Sequence, residues 1–223
     1  MKLMIIFFFI TMNIFSDIVK IDEIVSINFP SKEKVTKEKT DGRPIEIYEA
    51  ENDKQFFQVV KAEIFPENFK IDKLAFNEKN MDIFFTSFID SFTLEMESIN
   101  CKLKESAKIK HKTLSGYKLI YINKESNNIV SESKIFIVNN HIYSSTYLSH
   151  ENFNEENKET FFKSLTIDES KQIKFNPPVT GKSRAYVLGQ GVGRLLAIGL
   201  LVFVLVRILK RKKKDKINIE KQE

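Results

Sequence analysis

Residues 186–206 read YVLGQGVGRLLAIGLLVFVLV, with Gln190 and Arg194 as the strongly polar members and unbroken apolar sequence from Leu195 to Val206. At a rise of about 1.5 Å per residue, a helix of this length reaches roughly 30 Å, the thickness of a bilayer's hydrocarbon. Arg207, Lys210, Arg211, Lys212, Lys213, Lys214 and Lys216 follow at once. Such a cluster stays on the cytoplasmic side of a spanning helix, and the core helix of a soluble protein rarely ends in one. The sequence therefore predicts a transmembrane helix over 185–207 and a basic cytoplasmic tail over 208–223.

Two motifs overlap in this segment. Gly189, Gly191 and Gly193 suggest a dinucleotide loop, but that fingerprint needs a third glycine where Arg194 stands, and an acid about 20 residues on, where Lys213 and Lys214 stand. Gly189 and Gly193, four apart, instead have the small-residue spacing that lets two helices approach closely, and they would serve a homodimer contact. Arg194 either snorkels outward or faces a partner helix.

The other end of the chain is also apolar. Met1-Lys2 precedes a run from Leu3 to Phe15 broken only by Thr11 and Asn13. One positive charge and then a short hydrophobic stretch is the layout of a signal peptide, here 1–16, with cleavage near Ser16. No cysteine follows it, which argues against a lipid anchor at this end. Asn176-Pro177-Pro178 and Gly181 lie in a stretch without apolar periodicity, so 168–184 reads as a stalk. The globular domain is then 24–167, outside the cytoplasm, in a chain whose layout and Asn, Lys and Ile richness suggest a bacterium.

Charge separates along the same boundaries. Residues 207–223 carry 8 Lys and Arg against 3 Asp and Glu, whereas 17–167 carry 21 against 25. The basic pI near 9.0 therefore belongs to the tail, and nucleic-acid binding by the mildly acidic middle loses its support. The expected partners are membrane lipid, through 185–207 and the tail, and an envelope protein.

Within the middle, Ile24 to Phe29 alternates as a strand that stops at Pro30. Residues Ser31 to Asp41 are polar and read as a loop, with a turn at Asp41-Gly42. Strands at Ile45–Ala50 and Phe56–Phe65 form a hairpin about Asn52-Asp53. The period then changes. Met81, Phe84, Phe85, Phe88, Phe92 and Met96 recur at threes and fours, as on an amphipathic helix over 77–100 whose Phe-rich face packs on a sheet. Alternation returns at Ala107–His111, Tyr117–Ile122 after a Ser115-Gly116 turn, Ile129–Val138 and His141–Leu148, with Asn139-Asn140 as a hairpin turn. A short helix over Asn154–Leu165 ends the domain. The fold class is α+β: an antiparallel sheet of six or seven strands covered by two helices.

This arrangement resembles the PsbP-like α/β sandwich family of exported proteins. The residues that carry the resemblance are Ser26-Ile27-Asn28-Phe29-Pro30, the segment from Lys108 to Ile122 with Gly116, the meander to Tyr147, and Phe161-Phe162-Lys163-Ser164-Leu165. The closing helix is similar to the family's aromatic-rich ending, with Leu165 in the last place. What the resemblance implies is a fold and exported location, with no catalytic or metal residue carried over.

The chemistry-bearing residues form no recognisable machinery. His111, His141 and His150 lack metal-ligand spacing, and there is no serine elbow, phosphate loop or calcium loop. Glu155, Glu156, Asp82 and Asp90 read as solvated. Cys101, the single cysteine, reads as a small buried hydrophobe. No catalytic, cofactor or metal residue is therefore expected, and no cofactor. The expected function is a membrane-tethered, non-enzymatic binding or accessory module, with Tyr121, Tyr143 and Tyr147 as candidate exposed contacts. The alternative is a small-ligand carrier or hydrolase-type enzyme with a pocket on the sheet.

Overall fold

A computed structural model describes residues 18–40, 43–52, 55–64, 78–149, 153–171 and 184–202. The expected signal peptide, the basic tail, most of the stalk and His150 lie outside the described residues.

Ten strands, three α-helices and a short 3-10 turn make up the described fold. In chain order they are β1 (Ile18–Lys20), β2 (Val25–Asn28), β3 (Lys34–Thr40), β4 (Arg43–Asn52), β5 (Gln55–Glu63), α1 (Glu78–Glu97), β6 (Cys101–His111), β7 (Leu114–Asn123), β8 (Ile129–Val138), β9 (His141–Ser149), α2 (Glu155–Lys163) and β10 (Thr166–Ile167). The 3-10 turn covers Glu169–Lys171, and α3 spans Arg184–Val202. Seven strands form one antiparallel sheet in the order β3-β4-β5-β9-β8-β7-β6, and β1, β2 and β10 form a small second one.

Pleat alternation sends successive side chains to opposite faces, and each face builds its own core. On one face Ile45, Ile47, Phe56, Val60, Leu119, Ile135, Ile142 and Leu148 meet Phe84, Phe85, Phe88, Phe92 and Met96 of α1. On the other, Phe57, Val59, Phe136, Tyr143 and Tyr147 meet Ile27 and Phe29 of the small sheet and Phe161, Phe162 and Leu165 around α2. Phe57 stands edge-on to both Tyr147 and Phe161, at 5.3 and 5.1 Å between ring centres. The two helices expected from sequence thus cover opposite faces.

Several local expectations need correction. The polar stretch after Pro30 is not a loop but contains β3, an edge strand paired with β4 from Lys34↔Glu49 to Thr40↔Arg43. The strand ending at Pro30 belongs to the small sheet. The Ser115-Gly116 turn does not form either. The β6–β7 hairpin closes at His111↔Leu114, with Lys112 at φ 52°, and Gly116 sits inside β7. A side chain there would strike the Ile135 carbonyl and the Phe136 ring, so close cross-strand packing, not a turn, requires this glycine. Tyr121, Tyr143 and Tyr147 are core residues, each no more than 2% exposed, and are not binding contacts.

The apolar C-terminal helix expected over 185–207 is present, described from Arg184 to Val202. Ala185, Leu188, Val192, Leu196 and Leu200 of α3 belong to the same buried cluster as α1 and the sheet.

Candidate functional site

Two regions concentrate unusual features, and the first is the seat of α3. Gly189 lies on the backbone of α1: a side chain there would collide with the Phe88 carbonyl and the Ser91 hydroxyl. At Gly193 an added Cβ would stand 2.9 Å from the Phe92 carbonyl and 3.1 Å from Cβ of Glu95. Contacts advancing by four residues on each helix make α1 and α3 run side by side in the same direction. The pair singled out from sequence as a close-approach surface is therefore occupied by α1 of the same chain. Arg194, next to Gly193, reaches α1 as well and pairs with Glu95 at 3.3 Å. Farther along, Gly199 passes over Phe56 and Gln58.

The ground beneath the helices is mixed in polarity. Gln58 donates to Glu49 at 2.9 Å, and Ser133 and Thr146 share a hydrogen bond of 2.8 Å. The buried hydroxyls of Ser131 and Ser144 make no hydrogen bond. Beside α3 an open groove of about 470 Å³ runs along the β3–β4 edge, lined among others by Lys34, Thr36, Glu49, Phe56, Ile198 and Val202. On its outer side α3 exposes Tyr186, Val187, Ile198, Leu201 and Val202. The helix is long and apolar enough to cross a membrane, and less than half of its most apolar window is buried.

The second region lies on the opposite face, where the N-terminal segment crosses the sheet. Asp22 Oδ1 accepts from the backbone N–H groups of Ile24 and Val25 at 2.8 and 2.9 Å. Its Oδ2 accepts from the Tyr143 hydroxyl at 2.6 Å and pairs with Lys61 at 2.8 Å. Burial alone would raise the Asp22 pKa, but the bonds from Lys61, Tyr143 and the two amides outweigh it and hold it at about 2. Burial, together with the bond to Asp22, pushes the Tyr143 phenol well above its usual range. His141, packed against the Tyr143 ring, is held down to about 4, by burial first and then by Lys61. Tyr48 extends the network, donating to the Ile21 carbonyl and to Glu46, both at 3.0 Å.

Perturbed groups lining a pocket are a reasonable place to look for catalysis, and Asp22, His141 and Tyr143 line one of about 380 Å³. The bonding argues for a latch instead. A carboxylate has about four lone-pair positions, and Asp22 spends four on protein donors. It fastens the segment after β1 to β5 and β9. Lys158 is engaged in the same way, buried and paired with Glu132 at 2.9 Å, Glu155 at 2.6 Å and Glu159 at 3.4 Å. Burial acts to lower its pKa, but Glu155 and Glu132 raise it overall.

Among the described residues no group of three or more His, Cys, Asp and Glu could hold a metal ion. Cys101 opens β6, buried, its thiol pushed up by burial to about 11, which disfavours the reactive thiolate. Asp90, Glu155 and Glu156 are exposed, and Asp82 pairs with Lys108 at 2.7 Å. The Asp22 network is not legible in the sequence, because the hydroxyl that Asp22 accepts lies 121 residues away.

No protein-family model matches this chain, and no curated protein sequence shows significant similarity to it.

Proposed function

We propose that the protein is a membrane-tethered, non-enzymatic binding or accessory module whose α+β domain lies outside the cytoplasm, with α3 as its membrane helix and the basic tail inside. The observation that carries this reading is the pairing of α3, an apolar helix of spanning length, with the cluster of basic residues from Arg207 to Lys216. Their order along the chain favours a domain-outside, tail-inside arrangement. The apolar start of the chain supports export. The PsbP-like kinship of the domain is part of the same proposal and rests on the Phe-Pro segment and the aromatic ending around Phe161 and Phe162. The non-enzymatic reading is supported by the way Asp22 and Lys158 spend their bonding capacity on their own fold. The partners proposed are membrane lipid and an envelope protein.

Membrane fractionation tests this. The full chain should stay in the membrane pellet after an alkaline carbonate wash, and a chain ending at residue 183 should be released. Release of the full chain would refute the tether.

A small-ligand carrier is the second reading, favoured by the groove of about 470 Å³ with an apolar floor at Phe56 and Ile198 and a polar rim at Lys34 and Glu49. A polarity-sensitive dye displaced from it by a Phe56→Trp substitution would support that reading.

A further inference from the structure

Docking and spanning compete for the same residues. Crossing the hydrocarbon takes about 20 helical residues, and 186–206 supplies barely that number. In the docked helix, burial against the domain extends to Leu200. Only Leu201 to Val206 then remain before Arg207, roughly 9 Å at about 1.5 Å per residue. Nor can the docked pair sink into lipid as a unit, because α1 exposes Asp90 and Glu97 to water.

We infer that the groove formed by α1 and the β4–β5 side of the sheet is a helix-receiving site, that its occupant is this chain's own α3, and that filling it excludes spanning a bilayer. The inference rests on the membrane reading above and adds a second state to it. The seat is built for a helix with a small-residue face: Gly189 and Gly193 allow backbone contact with Phe88 and Phe92 that any larger side chain would block. Independent of the glycines, Arg194 distinguishes the two states. Docked, it is largely in water and paired with Glu95. Inserted, it stands near the middle of 186–206, where a cation is costly. The vacated floor also tolerates water, because Gln58 and its partner Glu49 lie there beside Phe56.

The test uses the full chain with Cys101→Ala, Glu95→Cys and Arg194→Cys, which leaves both glycines in place. The native side chains at 95 and 194 meet at 3.3 Å, so a short bis-methanethiosulfonate reagent, cleavable by reductant, can bridge the two thiols. Protein synthesised without membranes is bridged, then mixed with phosphatidylcholine vesicles with and without reductant, washed with carbonate and floated. The reduced protein should float, the bridged protein should not, and reductant should restore flotation. Equal flotation of bridged and reduced protein would overturn the exclusion and leave the membrane reading intact. Failure to form the intrachain bridge would overturn the docking alone. No flotation of either form would refute the membrane reading itself. Arg194→Leu provides a second variant that keeps the fold of the domain; it should raise the floated fraction, and an unchanged fraction would count against the two-state account.

Discussion

Replacing Asp22 by Asn isolates the latch that ties the N-terminal segment to the sheet. The amide keeps the shape but has one acceptor oxygen and a donor nitrogen. It cannot accept from two amides, a hydroxyl and an ammonium together, and it leaves the Lys61 charge, whose side chain is only 16% exposed, without its counter-ion. The folded carboxyl titrates at about 2 against an ordinary value of 3.8, and each unit of depression is worth about 1.4 kcal/mol. The charged carboxylate therefore contributes on the order of 2–3 kcal/mol at neutral pH. Because the folded pKa lies below the unfolded one, this contribution is complete above the ordinary value and is lost as pH falls through 2. Urea unfolding of the full chain in mild detergent, followed by circular dichroism, should show a gap of that size between wild type and Asp22→Asn at pH 7. The gap should narrow on acidification and nearly close at pH 2. Equal stability at pH 7, or a gap indifferent to pH, would refute the latch.

Phe88→Ala, at a fully buried position under α1, should cost ~3–5 kcal/mol. The exposed Asp90→Ala should stay within about 0.5 kcal/mol, and equal small effects would show that the α1 face is not core. Gly189→Leu should destabilise membrane-free protein by at least ~1–3 kcal/mol, since overpacking here meets backbone, yet leave vesicle insertion intact; a neutral effect on membrane-free stability would contradict the docked helix. His141, held down to about 4 from 6.5, resists protonation more in the folded state than in the unfolded one. Stability should fall as pH drops from 6.5 to 4, and His141→Gln should flatten that slope in denaturant titrations.

What is legible in the sequence follows from periodicity. The threes and fours of Phe84, Phe88 and Phe92 forecast α1 and its buried face, and alternation places β8 at Ile129–Val138. The strand β3 escapes because it is an edge strand with little to bury: Lys34, Lys37, Glu38 and Lys39 are exposed, and Val35 remains 45% exposed. Backbone pairing with β4, not a hydrophobic face, makes it a strand. The tyrosines mislead for the opposite reason. Tyr121 and Tyr143 are buried with their hydroxyls satisfied by Thr93 and Asp22, and such distant partners leave no local pattern. The glycine pair at 189 and 193 marks a helix-contact surface, but sequence spacing does not say which helix it meets.

The tether and its direction are tested most directly by labelling intact cells with a membrane-impermeant maleimide. With Cys101→Ala as background, one cysteine is placed at the exposed Lys104 of β6 and, in a separate protein, one at Lys216 in the tail. A domain held outside the cytoplasm by a single span predicts labelling of Lys104→Cys in intact cells, and of Lys216→Cys only after permeabilisation. Labelling of Lys216→Cys in intact cells, or protection of Lys104→Cys, would contradict it.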